Sequence, residues 1–481
     1  MKLRALRLCL LVLSAVATSA PLNAKVFFRV KPSAMPPSDK TEIHDLVLAL
    51  PLRDSSVVEK FRSLGYHVWL QCSSAELADT VAMAEHANVA GVIITIPEKS
   101  GKSFAFSELQ PNITAHGKLT LRVLVPGGKQ PQMKGRLVVE RDGVLQVSSP
   151  STQPWLDTNL ATVRLAQSVY PESLSIMYDF RWDTSDAPPG AWHPDAEDYA
   201  LAIAESDAIR SDVVIDLPVS LQDALNAGNP EAWALWKRVM SYLDFSGHLP
   251  TAKSQPLAGL GVIFDNAQAS YEPINLLARH NFAFEAVRPV NLTPARLGRW
   301  NSVVVFCSLN ADAATILRDF AAKGAIVIIV NSHDKFPWHS TPPLRKESHT
   351  TTYSLGTGQI VELGEPVIDP ETFARDVRRL IGRGRSTVTL WNSLTTLVTG
   401  YHEQNQSDPV LYLVNYADQP DNVQVQVKGH FSNVRLESPE EPCCASLPFV
   451  TRNGFTEFTI PSLRIAARVH LDFDGKSSAA K

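Results

Sequence analysis

The segment SLSIMYDFRWDTSD, residues 173–186, changes character halfway along its length. Its first half is apolar and is typical of a buried strand. Its second half brings together acids, an arginine and an indole: Asp179, Arg181, Trp182, Asp183 and Asp186. A strand of a parallel β/α barrel is apolar along its length and carries reactive groups at its carboxyl end, where the loops converge. The segment therefore predicts a barrel strand that ends at a functional site.

Similar apolar runs recur between residues 25 and 250, separated by amphipathic helical stretches. The runs are VFFRV (26–30), DLVLALP (45–51), YHVWLQ (66–71), GVIITIP (91–97), LTLRVLVP (119–126), the pair RLVVE/VLQVS (136–148), LSIMYDF (174–180) and VVIDLP (213–218). Continuous β-branched runs are what strands buried on both faces require. The pattern predicts an α/β fold with a (β/α)8 TIM-like barrel over residues 25–250. The sixth unit is the exception, because it reads as a hairpin around Asp142-Gly143.

Two further domains are predicted after the polar stretch GHLPTAKSQPLAG (247–259). A second alternation of strands and helices over residues 257–383 predicts a small doubly wound α/β domain of the flavodoxin-like kind. Short alternating strands with Asn, Asp, Gly and Pro turns over residues 386–475 predict an antiparallel β-sandwich.

Bulk composition agrees with several globular domains. A chain of 481 residues is too long for one core, and 44% hydrophobic with 20% charged residues is ordinary for folded proteins. The formal net charge is −4. Such a balance gives no reason to expect nucleic acid or an anionic membrane surface as a partner.

The first 24 residues are predicted to be a secretory signal peptide. A basic start, MKLRALR, precedes the apolar run LCLLVLSAVA and the small-residue stretch TSAPLNA, with cleavage after Ala24 or Ala20. The apolar run is too short to span a bilayer. The expected location is therefore periplasmic or extracellular.

Four cysteines remain after that cleavage: Cys72, Cys307, Cys443 and Cys444. Their spacing relative to histidine does not resemble a zinc site, so no metal is expected there. Cys72 and Cys307 lie at the ends of apolar strands, where buried free thiols are common. The adjacent pair, Cys443 and Cys444, is open to two interpretations: a vicinal disulfide or two unpaired thiols.

Carboxylates at strand ends are the main candidates for chemistry. Glu98 follows the fourth strand, Asp179 ends the seventh and Asp216 lies in the eighth, while the loop at 151–159 adds Trp155, Asp157 and Asn159. Glycosidic cleavage needs two carboxyl groups that flank the bond. Glu98 as acid and base and Asp179 as nucleophile would meet that need.

The remaining candidates fit a sugar-binding surface. Indole faces stack on pyranose rings, and carboxylates and amides bind hydroxyl groups; the predicted substrate-binding residues are Trp155, Asp157, Asn159, Arg181, Trp182, Asp183 and Asp216. Structural alternatives exist for several of them. Asp179 and Asp216 could pair with arginine, Asp157 and Asn159 could cap the helix that starts near Leu160, and Trp182 could simply hold its loop.

The order of the three domains resembles the family-42 glycoside hydrolases (β-galactosidases) and their relatives. The best match is residues 259–383, where GVIFDN, SVVVFCSLNADAATILRDFAAKGAIVIIVN and GTGQIVEL are similar to that family's trimerisation domain, which is glutamine-amidotransferase-like. VNYADQPDNVQVQVKGHFSNVRLESP is similar to sandwich domains that follow glycosidase barrels. The resemblance implies a homotrimer. In FCSLN, Cys307 lacks the flanking glycines of the glutaminase nucleophile and is expected to be structural.

The preferred prediction is an exported glycoside hydrolase that acts on an oligo- or polysaccharide with no cofactor. The alternative is a non-catalytic glycan-binding or envelope-assembly protein that keeps the architecture. Pro97-Glu98 stands where the wider clan carries Asn-Glu, which favours the alternative, whereas the crowded acids at 179–186 favour the enzyme.

Overall fold

The structure is a computed structural model. It describes residues 25–49, 56–96, 119–125, 132–134, 138–141, 144–147, 155–170, 175–180, 182, 194–247, 255–331, 333–367, 370–402 and 408–473. The predicted signal peptide, residues 1–24, lies outside this range.

The first domain contains both a parallel barrel and short antiparallel additions. Its described strands are β1 (Val26–Arg29), β2 (Asp45–Ala49), β3 (His67–Ser73), β4 (Gly91–Thr95), β5 (Thr120–Val125), β6 (Gln132–Lys134), β7 (Val138–Arg141), β8 (Val144–Val147), β9 (Trp155–Asp157), β10 (Ser175–Phe180) and β11 (Asp212–Asp216). Its described α-helices are Ser38–Thr41, Ser56–Ser63, Leu77–Ala87, Leu160–Val169, Ala196–Ile209, Val219–Asn226 and Pro230–Gly247.

The predicted TIM-like barrel is confirmed. Within the described residues the closed sheet has seven parallel strands rather than the predicted eight, in the order β1-β11-β10-β5-β4-β3-β2. The sixth predicted unit forms the antiparallel hairpin β7–β8, in which Arg141 pairs with Val144, as the Asp142-Gly143 signal indicated. The hairpin lies outside the closed sheet, which explains the lower strand count.

The barrel axis is filled by one apolar side chain from each strand. These side chains form one buried cluster: Phe27, Val47, Trp69, Ile93, Leu124, Met177 and Val214. Because side chains alternate along a strand, the residues two positions away also face the axis. The barrel interior is therefore layered, with a packed apolar middle and polar residues towards both ends.

Ion pairs close the amino-terminal end of the barrel. Asp212 contacts the buried guanidinium of Arg122 and accepts a hydrogen bond from the Lys25 backbone N–H at 2.8 Å. Asp45 accepts from Trp69 Nε1 at 2.7 Å. Burial lowers the pKa of Arg122 to about 10, although Asp45 opposes this shift. These contacts satisfy charges that would be costly to bury alone.

The second domain is a doubly wound sheet. Its strands are β12 (Gln255–Pro256), β13 (Leu260–Ile263), β14 (Phe284–Val287), β15 (Ser302–Val305), β16 (Ile326–Val330), β17 (Arg345–Lys346), β18 (Thr350–Leu355) and β19 (Gly358–Leu363), of which β12 joins the third domain. Its α-helices are Ala267–Arg279, Pro294–Leu297, Ala311–Ala322 and Pro370–Ile381. The parallel part has the order β14-β13-β15-β16-β19, which is the flavodoxin-like order 2-1-3-4-5, so the predicted fold is confirmed.

The third domain is the predicted antiparallel β-sandwich. Its strands are β20 (Val388–Leu390), β21 (Thr396–His402), β22 (Pro409–Asn415), β23 (Asp421–Lys428), β24 (Asn433–Ser438), β25 (Glu441–Ser446), β26 (Phe449–Arg452), β27 (Phe455–Leu463) and β28 (Ala466–Asp472). One sheet has the order β12-β21-β22-β28-β24-β25 and the other β20-β23-β27-β26. Alternating buried residues of both sheets, such as Val423, Val425 and Val427, form the core between them.

Helix Ala196–Ile209 joins the barrel to the sandwich. Asp207 binds Arg468 of β28 at 2.8 Å, and the Ala208 carbonyl accepts from Thr399 of β21 at 2.5 Å. This helix is buried along most of its length, because the barrel covers one side and the sandwich another. None of the helices within the described ranges has the length and apolar character needed to cross a membrane.

Candidate functional site

A group of polar side chains occupies the carboxyl end of the barrel axis. Each lies two residues beyond a member of the apolar middle layer, and we call the group the carboxyl-end cluster: Arg29, Gln71, Thr95, Asp179 and Asp216. They come from five different strands. Substrate-binding groups of β/α barrels are gathered at this end.

Arg29 is the centre of the cluster. Its Nη1 lies 3.1 Å from Asp179 Oδ1 and 2.6 Å from Asp216 Oδ1. Its Nε donates to Gln71 Oε1 at 2.9 Å, and Gln71 Nε2 donates to Thr95 Oγ1, also at 2.9 Å. The contacts form one connected network across strands that are far apart in sequence.

The arginine holds its charge in this setting. Burial alone would lower the pKa of Arg29, but the Coulomb attraction of Asp179 and Asp216 and their hydrogen bonds outweigh burial, and the pKa is raised. The guanidinium therefore stays charged and bridges the two carboxylates.

The two carboxylates differ in exposure. The side chain of Asp179 is 15% exposed and that of Asp216 is 56% exposed. Asp216 is the last residue of β11, where it was predicted, and its side chain pairs with Arg29 and reaches solvent at the barrel mouth. Asp216 is thus the more accessible of the two carboxylates.

Three members of this cluster escaped the sequence analysis. Arg29, Gln71 and Thr95 each end or interrupt an apolar run, as Asp179 does. The available signal was their spacing, since each follows an axis-facing Phe27, Trp69 or Ile93 by two residues. A single polar residue in such a run is a weak signal until the barrel register is known.

Asp157 and Asn159 have a different setting. Asp157 is buried, and Arg279 of the second domain donates to its Oδ1 from Nε at 3.3 Å. Asn159 is also buried, and it directly precedes helix Leu160–Val169, but its side chain makes no capping hydrogen bond to that helix. Its Nδ2 instead donates to Glu205 Oε1 at 2.7 Å. Asp157 thus contacts the second domain and Asn159 contacts helix Ala196–Ile209 of the barrel, and the predicted sugar-binding role of both residues stays a prediction.

Trp182 packs against the aromatic core outside the barrel. Its ring centroid lies 4.8 Å from that of Phe180 and 5.5 Å from that of Tyr199. The buried indole N–H has no acceptor among the described residues. Trp155 lies in β9, whose backbone pairs with β6 at Lys134. A sugar platform formed by these tryptophans remains a prediction.

Three of the predicted site residues, Glu98, Arg181 and Asp183, lie outside the described residues. What the structure adds is the position of Asp179 within a charged network.

Cys307 is a half-buried free thiol of the second domain. Burial first, and the nearby Asp265 carboxylate second, raise the pKa of its thiol to about 12. A nucleophilic cysteine needs a lowered pKa, so this thiol is unsuited to the glutaminase reaction. The structural interpretation of Cys307 is supported.

A cleft of about 530 Å³ opens at the opposite, amino-terminal end of the barrel. Its polar lining includes Glu42, His44, Asp45, His67 and Asp244. Function in this class of fold is found at the carboxyl end, whereas the amino-terminal end mainly serves stability. The Arg122–Asp212 ion pair and the Trp69–Asp45 hydrogen bond agree with that division.

Comparisons with known proteins support the fold assignment. No protein-family model and no curated protein sequence matches this chain. Among solved structures, the chain is similar to α-L-fucosidase isoenzyme 2 from Paenibacillus thiaminolyticus, with a TM-score of 0.58 and 12% identity over 94% of this chain and 100% of that one. The predicted resemblance to glycoside hydrolases is thus confirmed at the level of the fold.

Two other solved glycosidases are similar to a lesser degree. An exo-β-1,4-mannosidase from Opitutaceae bacterium strain TAV5 has a TM-score of 0.46 and 6% identity over 74% of this chain and 93% of that one. A GH42 β-galactosidase mutant from G. stearothermophilus has a TM-score of 0.38 and 9% identity over 87% of this chain and 66% of that one.

Proposed function

We propose that this protein is an exported glycoside hydrolase that cleaves glycosidic bonds at the carboxyl end of its barrel. The observation that carries the proposal is the carboxyl-end cluster, where Asp179 and Asp216 converge on the axis of a glycosidase-like fold. Oligo- or polysaccharides are the substrate class, because carboxylates, an amide and a guanidinium all bind sugar hydroxyl groups.

Asp179 is assigned as the nucleophile. It lies inside the mouth, and Arg29 at 3.1 Å favours the ionised carboxylate that a nucleophile needs. Glu98, at the end of the fourth strand, keeps its sequence-based assignment as acid and base. The two roles require carboxyl groups on opposite sides of the scissile bond.

Asp216 is a second candidate for the partner carboxylate. Its Oδ1 and Asp179 Oδ1 both contact Arg29 Nη1, at 2.6 and 3.1 Å, so the two oxygens are no more than about 5.7 Å apart. A separation of about 5–5.5 Å between carboxyl groups is typical of retaining glycosidases. The bound is shorter than the separation of about 6.5–9.5 Å in inverting enzymes, so it favours retention over inversion if Asp216 is the partner.

The Arg29 bridge also favours a second function. A guanidinium that contacts both carboxylates offsets their charge, which suits an ordered binding surface as well as a reaction centre. A glycan-binding protein without hydrolytic activity is therefore the alternative.

Hydrolysis by matched variants tests the proposal. Wild-type protein, Asp179→Asn, Glu98→Gln and Asp216→Asn are assayed on aryl glycosides and polysaccharides, with exposed Asp312→Asn of the second domain as control. A loss of about 10²–10⁴-fold in kcat/KM is expected for Asp179→Asn and for either Glu98→Gln or Asp216→Asn, and the second affected residue is then the catalytic partner of Asp179. Binding of a glycan without hydrolysis by the wild-type protein would instead establish the alternative.

A further inference from the structure

A second group of reactive side chains lies on the sandwich, on three adjacent strands. Glu437 belongs to β24, Cys443 and Cys444 to β25, and His470 to β28. One ligand atom of each lies within 4.8 Å of every other, and we call these four residues the thiol–imidazole cluster. The proposed glycosidase function makes no use of it.

The strand register explains why these side chains meet. Arg435 pairs with His470 and Glu437 with Arg468, so Glu437 and His470 are diagonal neighbours on one face of the sheet. On the other side of β24, Leu436 pairs with Ala445, which brings Cys444 beside Glu437. His470 Nε2 lies 2.9 Å from Glu437 Oε2.

In this structure the two cysteines form a disulfide with each other. That bond occupies both sulfur atoms, so the oxidised cluster offers only the imidazole and the carboxylate. Reduction by an external dithiol transfers two electrons and two protons to the disulfide and yields two thiols and an oxidised dithiol. The reduced cluster then has four potential ligands.

We propose that the reduced thiol–imidazole cluster is a binding site for a zinc ion. Zinc favours four ligands drawn from Cys sulfur, His nitrogen and carboxylate oxygen, at about 2.0–2.3 Å. A tetrahedron with those bond lengths separates its ligand atoms by about 3.3–3.8 Å. The ligand atoms already lie within 4.8 Å of one another in the disulfide form, and reduction frees the two sulfur atoms to move apart to that spacing. Binding releases one proton from each of the two thiols.

The surroundings of the cluster suit a loaded site. Two thiolates and the Glu437 carboxylate together carry three negative charges, whereas a zinc ion carries two positive charges. The loaded site therefore has one excess negative charge. Arg468, whose Nη1 lies 3.7 Å from Glu437 Oε1, places a positive charge beside the site, which it shares with Asp207. Cys443 is exposed and the other three residues are half-buried, so an ion reaches the site from solvent.

Redox state therefore determines occupancy. The disulfide form has lost its two sulfur ligands, and the dithiol form has all four. The other described cysteines, Cys72 and Cys307, are free thiols elsewhere in the chain, and burial raises the pKa of both. Metal uptake by those thiols is not expected.

The test is zinc binding to the purified chain before and after reduction. Titration against a chromophoric zinc chelator should show one ion per reduced chain and none per oxidised chain. Cadmium serves as a spectroscopic probe, because bound thiolates give an ultraviolet charge-transfer band. Cys307→Ser is the matched control and should bind as the wild type does.

Ligand variants complete the test. Cys443→Ser, Cys444→Ser and His470→Gln should each weaken zinc binding by at least about tenfold. Mutation of a residue that only hydrogen-bonds a metal ligand typically lowers metal affinity about 10- to 100-fold, and loss of a ligand itself should lower it at least as much. Circular dichroism of each variant without zinc verifies that it is folded. Glu437→Gln, which keeps the size of the side chain and removes only its charge, should weaken zinc binding less than the cysteine variants do. Equal zinc binding by oxidised and reduced protein, or unchanged binding by both cysteine variants, would overturn the proposal.

Discussion

The hydroxyl group of Tyr416 donates a hydrogen bond to Glu205 Oε2 at 2.9 Å, across the boundary between the sandwich and the barrel. Glu205 is completely buried in helix Ala196–Ile209, and Asn159 Nδ2 binds its other oxygen. Burial raises the pKa of Glu205 from 4.5 to about 7, although these hydrogen bonds oppose the shift. A single carboxyl group thus links the stability of the domain junction to pH.

Glu205→Gln is expected to remove this pH dependence. The folded chain holds the Glu205 proton more tightly than the unfolded chain, so its stabilising contribution is complete below pH 4.5 and is lost as pH rises through about 7. The full loss is about 3 kcal/mol. Urea unfolding across this range should show the wild type losing that much relative to the variant.

Exposed Glu231→Gln, in helix Pro230–Gly247, is the control for that experiment. It should leave the pH profile of the unfolding free energy unchanged. A parallel pH profile for wild type and Glu205→Gln would contradict the assignment of Glu205 as the titrating group.

Arg468→Met is expected to lower the unfolding free energy by about 3 kcal/mol. Arg468 has no exposed surface, and its Nη2 lies 2.8 Å from Asp207 Oδ2. Removing one partner of a buried ion pair costs about 3–5 kcal/mol, and the lower figure applies because Arg210 Nη1 remains 3.7 Å from Asp207. Adding Asp207→Asn should recover part of the loss in urea unfolding, whereas additive losses would contradict a charge effect.

Gly91→Ala is expected to destabilise the barrel by about 1–3 kcal/mol. A Cβ atom at Gly91 would overlap the Thr120 carbonyl oxygen of the neighbouring strand and the indole of Trp69. Gly247→Ala is the matched control, because nothing lies within 4 Å of its Cβ position. Thermal unfolding should show a lower Tm for the first variant only; equal Tm values would mean that the barrel relaxes around the methyl group.

The sequence was most informative where a pattern is local. Apolar runs predicted the barrel strands because both of their faces are covered, and Asp142-Gly143 predicted the β7–β8 hairpin. Asp179 was expected at a carboxyl-terminal strand end, and it lies there. In each case a few neighbouring residues carry the signal.

Long-range partners were not predictable in the same way. Arg29 and Asp179 are 150 residues apart, and their contact depends on closure of the barrel. Glu205 looked like one polar position in an amphipathic helix, because the sandwich that buries it is more than 180 residues further along the chain. Such contacts follow from strand register and domain packing, which no local pattern specifies.

Arg29→Gln tests whether the central cation organises the carboxyl-end cluster. Without it, two carboxylate oxygens that both contacted Arg29 Nη1, at 2.6 and 3.1 Å, face each other across a narrow gap. Like charges repel, so the unfolding free energy should fall by about 1–3 kcal/mol. Because Asp216 is largely exposed, added salt should screen part of this repulsion and reduce the loss.

The double variant Arg29→Gln/Asp179→Asn decides between charge and packing as the cause. The amide that replaces the Asp179 carboxylate is close to it in size but uncharged, so the second change should restore stability if repulsion is responsible. Loss of packing around the Arg29 side chain would instead leave the double variant as unstable as the single one, at low and high salt alike. Urea unfolding of wild type, both single variants and the double variant gives the coupling energy, and a coupling near zero would show that Arg29 and Asp179 stabilise the barrel mouth independently.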